Sequence, residues 1–283
     1  MTTSQSLDEA LPLQNFASLP RLRLPLWVSL SSPAVRLLLA FVLPLALLAL
    51  WQTATDRVWL PPQILPEPSF VWETLRDLVQ SGELKGHVTA SLERVAVSMA
   101  IGGAIGLGLG FAMGLSPTAK AYLYPSFSLF AQFPVIAWTP LMIIFFGIDE
   151  ALKISTITVA VLVPFAVASY KGIQNVPVKL MEVGRVYRFS HRQTFLHIAL
   201  PATLPAVIGG LRQAGIQAWQ ALIFVEVLAS SEGVGYLLVY SRNLMQLDVV
   251  MVCMVTIGAI GLVFDLGLGR LERRASAWQP KGY

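Results

Sequence analysis

Long apolar runs constrain this chain more than any other feature of its sequence. Several of them approach the ~20 residues that a helix needs to cross the hydrocarbon core of a bilayer. They lie at about 35–53, 91–115, 122–146, 151–170, 206–228 and 249–268. A soluble domain usually carries about 25% charged residues, whereas only 13% of this chain is charged. The sequence therefore predicts an all-α, polytopic membrane protein with about six transmembrane helices.

The basic residues indicate how these spans are oriented. With both termini in the cytoplasm, most of the 20 Lys and Arg residues fall on the inner side, where short loops are enriched in them. We therefore expect a cytoplasmic tail at 1–33, a transmembrane domain at 34–270 and a second cytoplasmic tail at 271–283. Because the basic residues flank the spans, the net charge of +4 does not predict a nucleic-acid partner.

Between the fourth and fifth spans lies a basic, helix-forming segment, residues 176–205. Pro177 suits the first position of a helix, and Ser190 with Gln193 has the spacing of a capping box for a second helix that runs through Ile198. We expect Pro201 and Pro205 to turn the chain back into the membrane. Periodicity alone leaves two interpretations open: a helix that inserts into a groove of a partner protein, or one that lies on anionic lipid.

The same segment resembles the EAA loop of ATP-binding cassette (ABC) importer permeases. That pattern is Glu-Ala-Ala, three residues, Gly, about nine residues, an apolar residue, any residue and Leu-Pro. Glu182 and the Leu200-Pro201 pair match it, whereas Val183 and Gly184 replace the alanines and Arg188 replaces the glycine. The resemblance implies a cytoplasmic coupling-helix loop at 176–201 that docks on an ATPase. The coupling residues that it implies are Leu180, Met181, Glu182, Val183, Gly184, Arg185, Tyr187 and Arg188.

The resemblance extends over about residues 43–278 and is greatest to the nitrate, sulfonate, taurine and bicarbonate branch. It is carried by LPEPSFVWETL, FPVIAWTPLMIIFFGIDEALKI and AWQALIFVEVLASSEGVGYLLVYSRNLMQLDVV. It implies a homodimer in the bacterial inner membrane, partnered by a cytoplasmic ATPase dimer, membrane lipid and a periplasmic or lipid-anchored binding protein. It also implies that a small anion is the substrate, with aliphatic sulfonate or taurine first and nitrate or bicarbonate next.

Polar and amphipathic residues inside the spans are candidates for a translocation path, because such residues are costly in lipid. They are Gln132, Trp138, Gln217, Trp219 and Glu226. For Glu226 the alternative is a structural hydrogen bond to a neighbouring helix, and for the tryptophans it is packing or anchoring at the membrane interface. We expect Arg94 to lie at the interface and Asp265 to pair with Arg270 or with headgroups.

Glycines recur every four residues in the second span, at Gly102, Gly106, Gly110 and Gly114. On a helix this spacing makes one bare stripe, which allows another helix to approach closely. Close packing is the favoured interpretation over a ligand role.

Catalytic chemistry is not expected in this chain. It has no Gly-rich phosphate loop that ends in Lys-Ser or Lys-Thr, so we do not expect it to hydrolyse ATP itself. The resemblance implies that ATP and Mg are bound by the partner ATPase. His87, His191 and His197 lack the spacing of metal ligands. The rival functions are a self-sufficient, ion-coupled secondary transporter, which would have paired inverted repeats, and a membrane enzyme.

Overall fold

The computed structural model describes residues 33–276, and the regular elements of that region are helices. The predicted tail at 1–33, apart from its last residue, lies outside the described part of the chain, as does 277–283. The helices are α1 (Pro33–Asp56), α2 (Pro68–Gln80), α3 (Glu83–Leu115), α4 (Pro117–Phe130), α5 (Val135–Phe146), α6 (Glu150–Gln174), α7 (Val178–Val186), α8 (His191–Thr194), α9 (Leu200–Ala229), α10 (Val234–Asn243) and α11 (Leu247–Ser276), with a π-helical turn at Phe195–Ala199.

Four continuous helical segments are long and apolar enough to cross a membrane: α3, α6, the run His191–Ala229 and α11. The pair α4 and α5 adds a fifth if it is counted as one bent span, and α1 contributes the shorter apolar stretch Phe41–Asp56. The predicted all-α, multi-span class is confirmed. The described residues up to Thr53 belong to one unit and those from Ala54 to another, and every feature described below belongs to the second.

The third predicted span is broken rather than merely kinked. It was expected to run from 122 to 146, but α4 ends at Phe130, α5 begins at Val135, and the two helices are bent by 95°. Pro134 lies at the break as the residue that precedes α5, whereas Pro125 and Pro140 remain inside helices. A proline removes one backbone donor and biases the preceding residue away from helix, and only at Pro134 does the chain leave the helix.

Helix α3 packs against α6 along its glycine stripe. A Cβ atom built on Gly106 would lie 2.5 Å from the carbonyl oxygen of Leu162, and one on Gly102 would lie 2.6 Å from that of Thr158. Gly110 faces Ser169, and a Cβ on Gly114 would lie 2.8 Å from the Cβ of Ile173. The two backbones approach so closely that no larger side chain fits between them.

The buried core is formed mainly by α6 and α9, and α3 packs against both of these helices. Leu152, Ile157 and Val161 of α6 are fully buried, as are Leu222 and Val225 of α9. We call the end of this bundle that carries α7 the loop end; Gln174 of α6 and Leu200 of α9 lie there. The far end is the opposite one, where α3 and α6 begin and α9 ends.

Candidate functional site

Helix α7 presents apolar and charged side chains together at the loop end. Pro177 precedes its first residue, as the sequence predicts, and the helix ends at Val186. Val186 is 79% exposed and Tyr187 is 72% exposed. The remaining predicted coupling residues that are exposed are Leu180, Glu182, Val183, Arg185 and Arg188, and Met181 is half-buried. An exposed amphipathic helix of this kind resembles those that other proteins bind in apolar grooves.

Gly184 is the buried residue of α7, and at this residue α7 packs against the following helical segment. A Cβ atom built there would lie 2.9 Å from Cδ1 of Ile198 and 3.6 Å from Oγ1 of Thr194. The position corresponds to the second alanine of the EAA pattern, so the structure gives a physical reason for a small residue there. Because this contact covers the inner face of α7, the opposite face of the helix stays exposed.

Arg188 has the left-handed backbone conformation, with φ of 53°. It follows Tyr187, the C-cap residue of α7, and two backbone hydrogen bonds terminate the helix. The N–H of Phe189 donates to the carbonyl of Gly184 at 2.9 Å, and that of Arg188 donates to the carbonyl of Arg185 at 3.0 Å. This is a Schellman ending, in which glycine is the usual left-handed residue. The glycine expected from the EAA pattern therefore has a conformational role that Arg188 fills here.

The capping box predicted at Ser190 is confirmed. The N–H of Gln193 donates to Oγ of Ser190, and the N–H of Ser190 donates to Oε1 of Gln193 at 2.8 Å. The expectation that Pro201 and Pro205 turn the chain was wrong, because both lie inside α9. The π-helical turn at Phe195–Ala199 ends two residues before Pro201, and a changed hydrogen-bond register lets the helix continue past a residue without an N–H.

Two of the predicted path residues meet at one cavity of about 390 Å³. It lies beside the break between α4 and α5, and Gln132 of the break and Gln217 of α9 are both in its wall. A third amide, Gln220, joins them one turn along α9. The sequence analysis did not single out Gln220, although its spacing of three residues from Gln217 places both on one helix face.

The two predicted tryptophans do not line this cavity. Trp138 packs against Phe130 and Phe133, with ring centroids 5.1 and 5.6 Å away. Trp219 is buried, and its Nε1–H donates to the carbonyl oxygen of Ile257 in α11 at 3.1 Å. These contacts fit the packing alternative for both residues.

Glu226 lies apart from the cavity, in a buried ionic cluster at the far end. Its Oε1 atom is 2.8 Å from Nη1 of Arg94, and it accepts a hydrogen bond from the hydroxyl of Ser91 at 2.8 Å. The backbone N–H of Gly235 donates to its other oxygen at 3.0 Å. Each of these contacts joins α9 to α3 or to the start of α10. They fit the alternative in which Glu226 makes structural hydrogen bonds to its neighbours.

Arg94 was expected at the membrane interface, and its side chain is only 4% exposed because it is paired within the protein. Its Nε and Nη2 atoms donate to Glu150, Nη2 also donates to Glu232, and Nη1 donates to Glu226 and to the carbonyl of Glu232. All five guanidinium N–H donors thus have acceptors. Lys153 adds a second cation, with its Nζ 2.5 Å from Glu150. Burial is tolerated because the charges are paired and hydrogen-bonded.

The turn between α9 and α10 wraps around the Glu226 carboxylate. Gly233 has φ of 111°, and a Cβ atom there would collide with the Glu226 side chain. A Cβ on Gly235 would lie 2.8 Å from the Cβ of Glu226. The paired glycines therefore make room for Glu226. The Gly-x-Gly pattern at 233–235 is the sequence feature from which the enclosure of Glu226 by the following turn could have been predicted.

A second ion pair joins α9 to α11 near the loop end. Arg212 donates from Nε to Asp265 at 2.8 Å and from Nη1 to Glu272 at 3.1 Å. Asp265 was expected to pair with Arg270 or with headgroups, and the structure pairs it with Arg212 instead of Arg270. Asp265 and Arg270 are five residues apart on one helix, which separates their faces, whereas Arg212 on the neighbouring helix faces Asp265 directly.

Comparison with known proteins gives the family. Residues 104–277 match the family model described as the binding-protein-dependent transport system inner membrane component. The putative aliphatic sulfonates transport permease protein SsuC of Bacillus subtilis (strain 168) is 34% identical over 84% of this chain and 86% of its own length. The taurine transport system permease protein TauC of Escherichia coli (strain K12) is 31% identical over 82% of this chain and 86% of its own length.

Solved structures agree on the fold. The MetNI methionine ABC transporter in an inward-facing conformation aligns with a TM-score of 0.57 at 20% identity, over 68% of this chain and 94% of the matched chain. An amino acid ABC transporter aligns with a TM-score of 0.58 at 16% identity, over 71% of this chain and 98% of the matched chain. The exposed helix α7, the multi-span bundle and these matches lead to one conclusion: the chain belongs to the family of inner membrane components of binding-protein-dependent transport systems and is an ABC transporter permease.

Proposed function

We propose that this chain is the permease subunit of an ATP-driven importer for a small organic anion, an aliphatic sulfonate or taurine. Two copies form the translocation path at their interface, and each carries α7 on the cytoplasmic side of a bacterial inner membrane. A binding protein delivers the anion to the far end. The anion class is supported by the relatives, whose printed names refer to aliphatic sulfonates and taurine.

The observation that carries the proposal is the open face of α7. Gly184 fixes the inner face, while Val183, Val186 and Tyr187 stay exposed beside charged residues. Exposed apolar groups on a membrane protein's water-facing loop cost free energy unless a partner covers them. An ATPase groove is the partner that fits both this chemistry and the family.

Coupling is proposed to be mechanical. The partner ATPase binds ATP and Mg, and this chain contributes no catalytic group. When the ATPase pair closes, each α7 moves with it. The contact between Gly184 and Ile198 transmits the movement into the continuous helix His191–Ala229. A rigid element whose partner has two arrangements is sufficient for such a switch.

The second copy is supported by polar residues on one face of α9. Gln213, Gln217 and Gln220 recur at helical spacing, and Gln213 and Gln220 are exposed. An amide that faces hydrocarbon without a partner costs several kcal/mol or more. A water path between two copies removes that cost, whereas direct contact with lipid does not.

The test is the charge reversal Glu182→Arg on α7, measured by co-purification with the ATPase and by ATP-driven sulfonate uptake in liposomes. We expect both to fall about tenfold or more, because the change puts a bulky cation into a desolvated contact. Glu73→Arg on α2 is the matched control, since Glu73 is exposed and lies outside the loop end, and it should leave both values unchanged.

Two outcomes would contradict the proposal. One is undiminished ATPase co-purification with Glu182→Arg, which would remove α7 as the docking element. The other is sulfonate uptake that an ion gradient drives without ATPase or ATP, which would favour the secondary transporter.

A further inference from the structure

The cavity at the α4–α5 break combines hydrogen-bond donors with an apolar wall and has no charged side chain in its lining. Its polar side is formed by Gln132, Gln217 and Gln220. Its apolar side includes Phe133, Val163 and Phe224. A ligand that fits such a lining has hydrogen-bond acceptors at one end and hydrocarbon at the other.

The cavity lies within the depth of the bundle. Thr156 and Val163, both in its wall, lie 6 and 13 residues after the first residue of α6. At 1.5 Å per residue they are about 9 and about 20 Å along a helix that is about 37 Å long. A substrate that crosses between the two ends along this face therefore passes the cavity.

We infer that this cavity is a transit site for the monoanion of a short aliphatic sulfonate, held by the amides of Gln132, Gln217 and Gln220 with its alkyl tail against Phe224. The inference rests on the proposed function and adds a site and a ligand class to it. Nitrate and bicarbonate have no hydrocarbon tail that could contact the apolar side of the cavity, so they are disfavoured at this site.

Neutral donors suit transport better than a cation would. A path site must bind well enough for entry and weakly enough for release, whereas a buried guanidinium would hold a sulfonate through a charge-assisted bidentate pair. The break adds donors of its own, since α5 begins at Val135 on the cavity wall and the first N–H groups of a helix have no intrahelical acceptors. Broken spans present helix starts to anions in other transporters.

The arginines of the neighbouring helices α3 and α9 are paired with carboxylates away from this cavity. Arg94 is saturated by its carboxylates at the far end, and Arg212 is paired with Asp265 and Glu272. Neither lines the cavity. Selection of the anion at this site therefore depends on amide donors and on the fit of the tail.

The experiment uses the complete complex of permease, ATPase and binding protein in liposomes, with labelled methanesulfonate and hexanesulfonate as probes. The double variant Gln217→Leu/Gln220→Leu should lower ATP-driven uptake of both probes by about tenfold or more, with ATPase co-purification unchanged. Gln80→Leu on α2, whose amide is exposed and lies outside the cavity wall, should keep at least half of the uptake.

Phe224→Ala gives a readout that a merely unstable protein would not produce. The change removes the ring that the tail contacts and enlarges the apolar side of the cavity, so the ratio of hexanesulfonate to methanesulfonate uptake should rise about threefold or more over wild type with the same binding protein. An unchanged ratio would overturn the inference, and so would an equal loss in Gln80→Leu and in the double variant. If wild type itself moves no sulfonate, the proposed function fails; if wild type transports and the variants match it, only this inference fails.

Discussion

Arg188 shows how one backbone angle accounts for a family pattern. The EAA loop has glycine at this position, and the structure places Arg188 at φ of 53° in the Schellman ending of α7. A non-glycine residue in this conformation costs roughly 1 kcal/mol. The departure from the pattern therefore changes the stability of the loop but leaves its geometry in place.

Replacing Arg188 with glycine should stabilise the end of α7. The gain of about 1 kcal/mol should slow hydrogen exchange at the Phe189 amide about fivefold, measured by mass spectrometry on the purified protein. Arg188→Ala removes the same charge but keeps a Cβ atom, so it should not slow exchange. Equal slowing in both variants would show that charge, and not the backbone, limits the stability of this turn.

Glu226 should be among the residues most sensitive to substitution. Glu226→Leu leaves Arg94 buried with one carboxylate fewer and removes the acceptor for Ser91 and Gly235. Removing one partner of a buried pair costs about 3–5 kcal/mol, so the unfolding midpoint in detergent should fall by about 10 °C.

Glu93→Leu is the matched control for that substitution, because Glu93 is the exposed neighbour of Arg94 on α3. It should change the midpoint little. A small effect of Glu226→Leu would mean that water or lipid headgroups replace the lost carboxylate, and would contradict the burial of the Arg94–Glu226 pair.

At the scale of the helix, the glycines of α3 differ sharply in what surrounds them. A Cβ atom on Gly106 would meet the backbone of Leu162, whereas one on Gly108 would have nothing within 4 Å. Gly106→Ala should destabilise the protein by about 1–3 kcal/mol, while Gly108→Ala should stabilise it by up to about 1 kcal/mol through helix propensity. Thermal unfolding in detergent measures both. Effects of the same sign would contradict the close approach of α3 and α6.

Sequence patterns were informative wherever the determining interactions are local. The capping box at Ser190 and the start of α7 after Pro177 depend on residues within one turn, so their spacing was sufficient. Pro134 and Pro201 were not distinguishable in this way. Whether a proline breaks a helix or stays within it depends on the neighbouring turn and on packing, as the π-helical turn before Pro201 illustrates.

At the scale of the whole molecule, long-range charge pairs escaped the sequence analysis. Arg94 meets partners 56 and 132 residues away in the chain, and no periodicity records such a pairing. The all-α class and the multi-span architecture were accessible because they depend on apolar length alone. The same contrast holds for the cavity: Gln132 and Gln217 were identified singly, and only the fold brings them together with Gln220.

The whole account depends on α7 being held by a nucleotide-driven partner, and cysteine cross-linking tests this most directly. The native cysteine, Cys253, is fully buried, so an added cysteine is the reactive one. Val186→Cys at the loop end and Met245→Cys at the far end start from side chains that are 79% and 80% exposed. In membranes that contain the full complex, Val186→Cys should cross-link to the ATPase and Met245→Cys should not. Absence of the Val186 adduct, or an ATPase adduct at Met245, would contradict the account.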